Sequence, residues 1–407
     1  MDHKPGKNAV LFVFITVLLD MVGFGLIIPI QPALIQSVGG TSIGQASVVA
    51  GWLFLAYGGM QFVFGPAMGS LSDAFGRRPL LLLAVFGLAV DYILTAFAPN
   101  LYWLFAGRLI AGLCGASYTI ANAYIADITA PADRARAFGM MGAAFGVGFI
   151  IGPAVGGLLG EFGARVPFFV AAAVSAANFA FGYFVLPETL VPEKRRRFAW
   201  ARANPIGALK VFASYKGVLP LCGVMAIYMF ASSVYPVIWP FWSVAKFGWS
   251  AGTIGLTLAV FGLTMAAVQG GLTGPVVKLL GESNTVLFAL IVGTVVAFSY
   301  GLAPNLLWVL ILLVLHAPEG FANPALTALI SREVPENAQG EMQGGIASVQ
   351  NLSMILGSLF FSQIFGFFMR DDAPIKSPNI AFFVAGILLG VTVIAFVITR
   401  RKAARHG

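Results

Sequence analysis

Five ionisable side chains interrupt runs of sequence that are otherwise apolar: Asp20, Asp91, Arg108, His316 and Glu319. In the middle of a bilayer such a group costs roughly 2.5–3.5 kcal/mol on insertion scales, so it marks a place where protons, ions or substrate are handled. His316 and Glu319 stand in an i, i+3 relation and share one helix face, close enough to interact. A histidine titrates near neutral pH and a desolvated carboxylate can be drawn into the same range, which suits both to carry a proton. Each residue also has a structural alternative. Asp20 and Arg108 could be a structural ion pair, since buried charges persist when paired. Asp91 could hold helices together by hydrogen bonds, and His316 could be a satisfied polar group inside a bundle.

Such residues need a lipid-embedded scaffold, and the composition describes one. Hydrophobic residues make up 59% of the 407 and charged residues 10%, against roughly 25% charged in a soluble domain. Twelve stretches reach the ~20 apolar residues that cross a hydrocarbon core: 8–30, 46–71, 80–98, 101–126, 137–159, 166–186, 218–242, 251–277, 284–302, 306–330, 341–368 and 380–398. The first follows Lys4 and Lys7 as a secretory leader would, but it runs on to Ile30 without a small-residue cleavage site, so it reads as a span. The fold class expected is an all-α membrane protein of twelve helices in two pseudo-symmetric six-helix bundles. Its parts are residues 1–187, a basic cytoplasmic linker 188–217 with Lys194, Arg195, Arg196 and Arg197, and residues 218–407.

Placing both termini in the cytoplasm leaves 19 of the 24 Lys and Arg on that side, Arg165, Lys246, Arg370 and Lys376 outside, and Arg108 in the membrane. That is the asymmetry of the positive-inside rule. The net charge of +8 is therefore read as topology, and no nucleic-acid partner is expected. Cys114 and Cys222 lie far apart in apolar runs, so neither a disulfide framework nor a metal site is expected. No GxxxxGK[ST] loop or nucleophile triad occurs, which argues against an enzyme and against ATP as the energy source.

The two halves resemble each other. Gly69-Ser-Leu-Ser-Asp73-Ala-Phe-Gly76-Arg77-Arg78 after the second span has a counterpart in Gly274-Pro-Val-Val-Lys278-Leu-Leu-Gly281-Glu282 after the eighth, with the same glycine spacing. Ala121-Asn122 recurs as Ala322-Asn323. Parallel six-span halves place a substrate site near the midplane and work by alternating access.

The segment 69–79, GSLSDAFGRRP, resembles the loop signature of the major facilitator superfamily. Gly107-Arg108-Leu-Ile-Ala-Gly112 is similar to the intramembrane arginine motif of its drug:proton antiporter branch, and Gly148-Phe-Ile-Ile-Gly152-Pro153-Ala-Val-Gly156-Gly157 to its antiporter motif. Segments 18–29, 88–92 and 125–127 resemble the tetracycline exporters within that branch. Met265 and Gly293 stand where the best-known tetracycline exporters have a histidine and an aspartate, whereas Gln269 fits, and Ala74 stands where a basic residue is common.

The resemblance implies roles. Gly69, Asp73, Gly76, Arg77, Arg78 and Asp127 would form a gate of charged contacts, with Arg77 and Arg78 also fixing topology. Gly148, Gly152, Pro153, Gly156 and Gly157 would form a hinge or seal. Asp20 would couple proton and substrate, and Arg108 would take part in proton movement. The candidate substrate cavity comprises the amides Gln31, Gln61, Asn122, Gln269 and Gln350 and the aromatics Tyr57, Tyr118, Tyr235 and Trp239, a lining suited to an amphipathic ligand. The expectation is a monomeric, proton-driven exporter of a drug-like small molecule in a bacterial inner membrane, without a cofactor. A metabolite symporter and a non-transporting receptor are the alternatives.

Overall fold

The structure is a computed structural model and describes residues 7–115, 117–130, 133–196, 198, 212 and 215–406. Most of the basic linker, including Arg197, lies outside the described residues. Among the described residues twelve helices are long and apolar enough to cross a membrane: span 1 Leu11–Gly39, span 2 Ile43–Phe75, span 3 Arg77–Ala96, span 4 Leu101–Ile128, span 5 Arg136–Gly160, span 6 Val166–Val185, span 7 Leu219–Phe247, span 8 Ala251–Gly271, span 9 Glu282–Leu302, span 10 Leu306–Arg332, span 11 Gln339–Phe368 and span 12 Ile380–Lys402. Span 10 shows why lipid must surround them. Leu307, Ile311 and Val314, on one helical face, are exposed, while Val309, Leu312, Leu313 and His316 are buried. Water would reject a face of that kind at about 25 cal/mol per Å².

The chain punctuates its helices with the same devices in both halves. Asn100 and Asn305 each open a span by accepting a backbone N–H, from Tyr102 and Trp308 respectively, both at 3.1 Å. They sit in identical Ala-Pro-Asn-Leu segments at 98–101 and 303–306, a repeat that strengthens the relation between the halves. Gly76 and Gly281, the matched glycines of the two loop segments, both take positive φ (111° and 75°), which a side chain would disfavour.

Two helix bounds differ from expectation. Span 1 continues past Ile30 through a 3₁₀ turn, Ile28–Ile30, into Gln31–Gly39, because Pro32 falls in the first turn of the new segment, where its missing N–H costs nothing. Span 8 stops at Gly271, and a short helix, Thr273–Leu280, follows the break at Leu272. Spans 1, 4, 7 and 10 are all interrupted in their interiors: at Ile28–Ile30, after Cys114, at Ser233 and at Ala317–Phe321. Broken helices are tolerated in a bilayer only where protein or a water-filled cavity satisfies the freed backbone.

By contacts the chain forms two compact units. The first comprises 1–40, 56–204 and 250–259; the second comprises 41–55, 205–249 and 260–407. The first is cored by Phe12, Val17, Met68, Leu81, Tyr124 and Met141. The second is cored by Met225, Val286, Leu290, Phe321, Leu326 and Phe396.

Candidate functional site

In the first unit, Asp20 of span 1, Tyr57 and Gln61 of span 2, Asp91 of span 3, and Arg108 and Ser117 of span 4 line one cavity of about 160 Å³. Arg108 pairs with Asp91, not with Asp20, and so closes the ion-pair alternative for Asp20. Asp91 is wholly buried and takes a second, long hydrogen bond from the Thr95 hydroxyl at 3.4 Å. Gly107, next to Arg108 on span 4, faces the same carboxylate, and a Cβ there would lie 2.5 Å from Asp91 Oδ1. Ser117 lines the cavity beside Asp20, whose Oδ2 is buried without a hydrogen-bond partner among the described residues. A buried polar atom of that kind is costly and rare in a finished core. Gln61 is tied to the Gly115 carbonyl at the break in span 4 (2.9 Å).

The loop segment at 69–78 is built around Arg77. Its guanidinium meets Asp73 at 2.5 Å, Asp127 at 3.1 Å and the Ser72 hydroxyl at 2.7 Å. Arg78 stands apart from this cluster, donating to the Tyr183 carbonyl at 2.6 Å and lying over the Tyr183 ring. Glu188 does what the sequence did not reveal: it accepts the Arg77 and Arg78 backbone N–H groups at 2.9 and 3.3 Å and caps span 3. An acid directly after span 6, in Pro187-Glu188-Thr189, was the available signal, since helix N-termini favour anions. Gly69 does not mediate a close approach, because a Cβ there would meet only Thr119 Cγ2, at an ordinary 3.8 Å.

In span 5, Gly148, Gly152 and Gly156 share one helix face. A Cβ on Gly148 would lie 2.6 Å from Met21 Cβ and 2.7 Å from the Leu18 carbonyl; one on Gly152 would lie 2.6 Å from the Val22 carbonyl and 2.9 Å from Gly25 Cα. Gly156 meets the Leu26 backbone. Span 5 thus packs backbone to backbone on span 1. Gly157 points elsewhere, against Ala251 and Gly255 at the start of span 8. The helix runs unbroken through Pro153, whose ring packs on Gly25.

In the second unit, His316 and Glu319 meet as their spacing requires, with Nε2 and Oε2 at 2.9 Å and both side chains buried. They do so on the 3₁₀ turn that interrupts span 10, not on a continuous α-helix. Ser232, at the break in span 7, donates to Glu319 Oε1 at 2.9 Å. Tyr235, Phe261 and Tyr300 pack against the imidazole. Trp239 is buried in the same aromatic cluster, against Tyr300 and Trp242, so it and Tyr235 support the His316 site more than they line open space. A separate cavity of about 510 Å³ is lined by Gln269, Asn323, Thr327, Gln343 and Gln350. Gln350 donates to Asn323 Oδ1 at 2.8 Å. This lining holds more amides than expected, and Asn323 and Gln343 were missed. Asn323 is the repeat partner of Asn122, yet Asn122 and Gln31 line neither cavity. The side chain of Tyr118 lies outside the described residues.

A cavity of 510 Å³ falls in the range that holds drug-sized ligands. Among the described residues no group of three or more His, Cys, Asp or Glu could hold a metal. The family model described as Major Facilitator Superfamily matches residues 13–358 and 221–407. Tetracycline resistance protein, class C, of Escherichia coli is 37% identical over 361 residues, 88% of this chain and 90% of that protein. Multidrug resistance protein 2 of Bacillus subtilis (strain 168) is 28% identical over 405 residues, 97% of each. Among solved structures, the nucleoside transporter NupG is similar with a TM-score of 0.77 at 15% identity, over 97% of this chain and 99% of that one.

Proposed function

The chain belongs to the Major Facilitator Superfamily, and on that footing we propose that it is a proton-coupled antiporter exporting an amphipathic, drug-like compound. The carrying observation is Asp20 Oδ2, buried in a cavity without a hydrogen-bond partner beside an Arg108 that Asp91 already neutralises. A carboxyl in this position can hold a proton or meet a cationic or hydrogen-bond-donating substrate, but not both at once. Two conformations that bind the two ligands with different affinity then couple their movements. The amide-lined cavity of the second unit suits an oxygen-rich compound, since amides both donate and accept.

The names of the relatives make tetracycline the first compound to test. The protein would act as a monomer in a bacterial inner membrane with both termini cytoplasmic, the orientation favoured by the distribution of Lys and Arg. The Asp73, Arg77 and Asp127 contacts would then lie on the cytoplasmic face and break and re-form during alternating access.

Everted membrane vesicles with an acidified interior should accumulate tetracycline, and Asp20→Asn should reduce accumulation to the level without a gradient. Uptake into right-side-out vesicles driven by an inward proton gradient would identify a symporter and overturn export.

A further inference from the structure

We infer that His316 and Glu319 form a second proton site, distinct from Asp20, that takes up one proton in each transport cycle; the inference rests on the proton-coupled reading above. The first α-helical segment of span 10 ends at His316, and the 3₁₀ turn Ala317–Phe321 brings Glu319 back to the imidazole. Glu319 Oε2 sits 2.9 Å from His316 Nε2 and 3.4 Å from the Tyr235 hydroxyl, while Ser232 donates to Oε1 at 2.9 Å. On the far side of the ring, the Tyr300 hydroxyl lies 3.3 Å from Nδ1. Tyr228 reaches the Glu319 backbone carbonyl at 3.4 Å. From span 8, Phe261 faces the ring, and Met265 and Gln269 abut Gly320.

The charge count of this cluster is informative. With Glu319 ionised and His316 neutral it carries one negative charge, and among the described residues no Lys or Arg side chain is bonded to it. Lys246 spends its ammonium on the carbonyls of Tyr300 and Gly301. One added proton makes the cluster neutral, as imidazolium with carboxylate or as imidazole with carboxylic acid. These two forms interconvert by moving the proton across the 2.9 Å contact.

The partners serve both protonation states. In the unloaded form His316 Nε2–H donates to Glu319, and the Tyr300 hydroxyl donates to Nδ1. In the loaded form Nδ1–H donates, and the same hydroxyl turns to accept, since it can do either. A pair kept only for packing needs to be satisfied in one state; this one is satisfied in two.

Span 9 contributes a vacancy. A Cβ on Gly293 would lie 2.7 Å from Glu319 Oε2 and 2.8 Å from Cδ. The carboxylate therefore rests directly on the bare backbone of residue 293, and an acidic side chain carried by residue 293 would reach the same place.

The test uses the full-length protein in proteoliposomes, with tetracycline as the probe, and measures the proton-to-substrate coupling number from the gradient at which net flux reverses. Glu319→Gln keeps the shape and the Ser232 hydrogen bond, and its coupling number should fall by one proton relative to wild type. An unchanged coupling number overturns the inference. If E319Q transports nothing, Gly293→Asp combined with Glu319→Ala decides: restored flux with the wild-type coupling number supports the site, and continued inactivity overturns it. A wild type insensitive to the proton gradient sinks the export reading as well, whereas a driven wild type matched by E319Q sinks only this inference.

Discussion

Arg108→Met tests whether the Asp91–Arg108 pair is a paired buried charge or an incidental contact. In the structure Asp91 has no solvent exposure, and apart from Arg108 its carboxylate receives, among the described residues, only the long Thr95 bond. Removing the guanidinium leaves a buried carboxylate without its counter-ion, which costs about 3–5 kcal/mol. Asp91→Asn combined with Arg108→Met removes the charge as well and leaves a neutral amide short of partners, which costs about 1–3 kcal/mol. The double variant should therefore be more stable than the Arg108→Met single variant by about 2 kcal/mol. Unfolding by sodium dodecyl sulfate in mixed micelles, followed by the fluorescence of the seven tryptophans, reads the difference. An Arg108→Met variant as stable as wild type, or a double variant no better than the single, would refute the argument.

Gly152→Val would place its first carbon 2.6 Å from the Val22 carbonyl and 2.9 Å from Gly25 Cα; backbone cannot step aside, so a loss of about 1–3 kcal/mol is expected in the same unfolding assay. Gly146→Ala, with nothing within 4 Å of the new carbon, should stay near wild type, and a matching loss there would contradict the packing account. Glu161, in the turn after span 5, accepts the Ser250 hydroxyl and the Gly252 N–H, the latter at 2.7 Å, and these bonds hold its carboxyl below the usual range. Its folded pKa is depressed, so its contribution is present at neutral pH and is lost as the pH falls from the ordinary glutamate value through the lowered one. The melting temperatures of wild type and Glu161→Gln should accordingly differ at pH 7 and converge in acid; a gap that widens in acid would contradict the assignment.

Much of the fold was legible because a bilayer imposes simple arithmetic. Twelve apolar stretches of sufficient length read as twelve spans, and the matched glycines at 76 and 281 of the repeated loop segments both take positive φ. Hydropathy averaged over a span does not report helix interruptions: Ile28–Ile30 is wholly apolar, and the Pro318 and Glu319 of Ala317–Phe321 are outweighed by the apolar run before them. The site was read in part for the same reason. Ionisable residues stand out against apolar sequence, so Asp20, Asp91, Arg108, His316 and Glu319 were found. Which of them pair depends on helix rotation, which composition does not report, and Arg108 went to Asp91. Neutral amides such as Asn323 and Gln343 carry no such contrast and became visible only where the structure brought them around one cavity.

The breaks give these residues a common logic. Spans 1, 4, 7 and 10 recur at intervals of three and are each interrupted, whereas spans 2, 3, 5, 6, 9, 11 and 12 run through without a break in the described residues. An interruption frees backbone groups that the bilayer cannot satisfy, so polar side chains must gather at it or a cavity must open there. Gln61 answers the break in span 4 by bonding the Gly115 carbonyl, and Ser117, where the helix resumes, lines the cavity with Asp20. Ser232, at the break in span 7, answers Glu319 in the break of span 10. At spans 4, 7 and 10, polar side chains thus gather where the helices are interrupted. A change that mended one of these helices would remove the local reason for the polar cluster beside it, so the interruptions and the ionisable residues form one design.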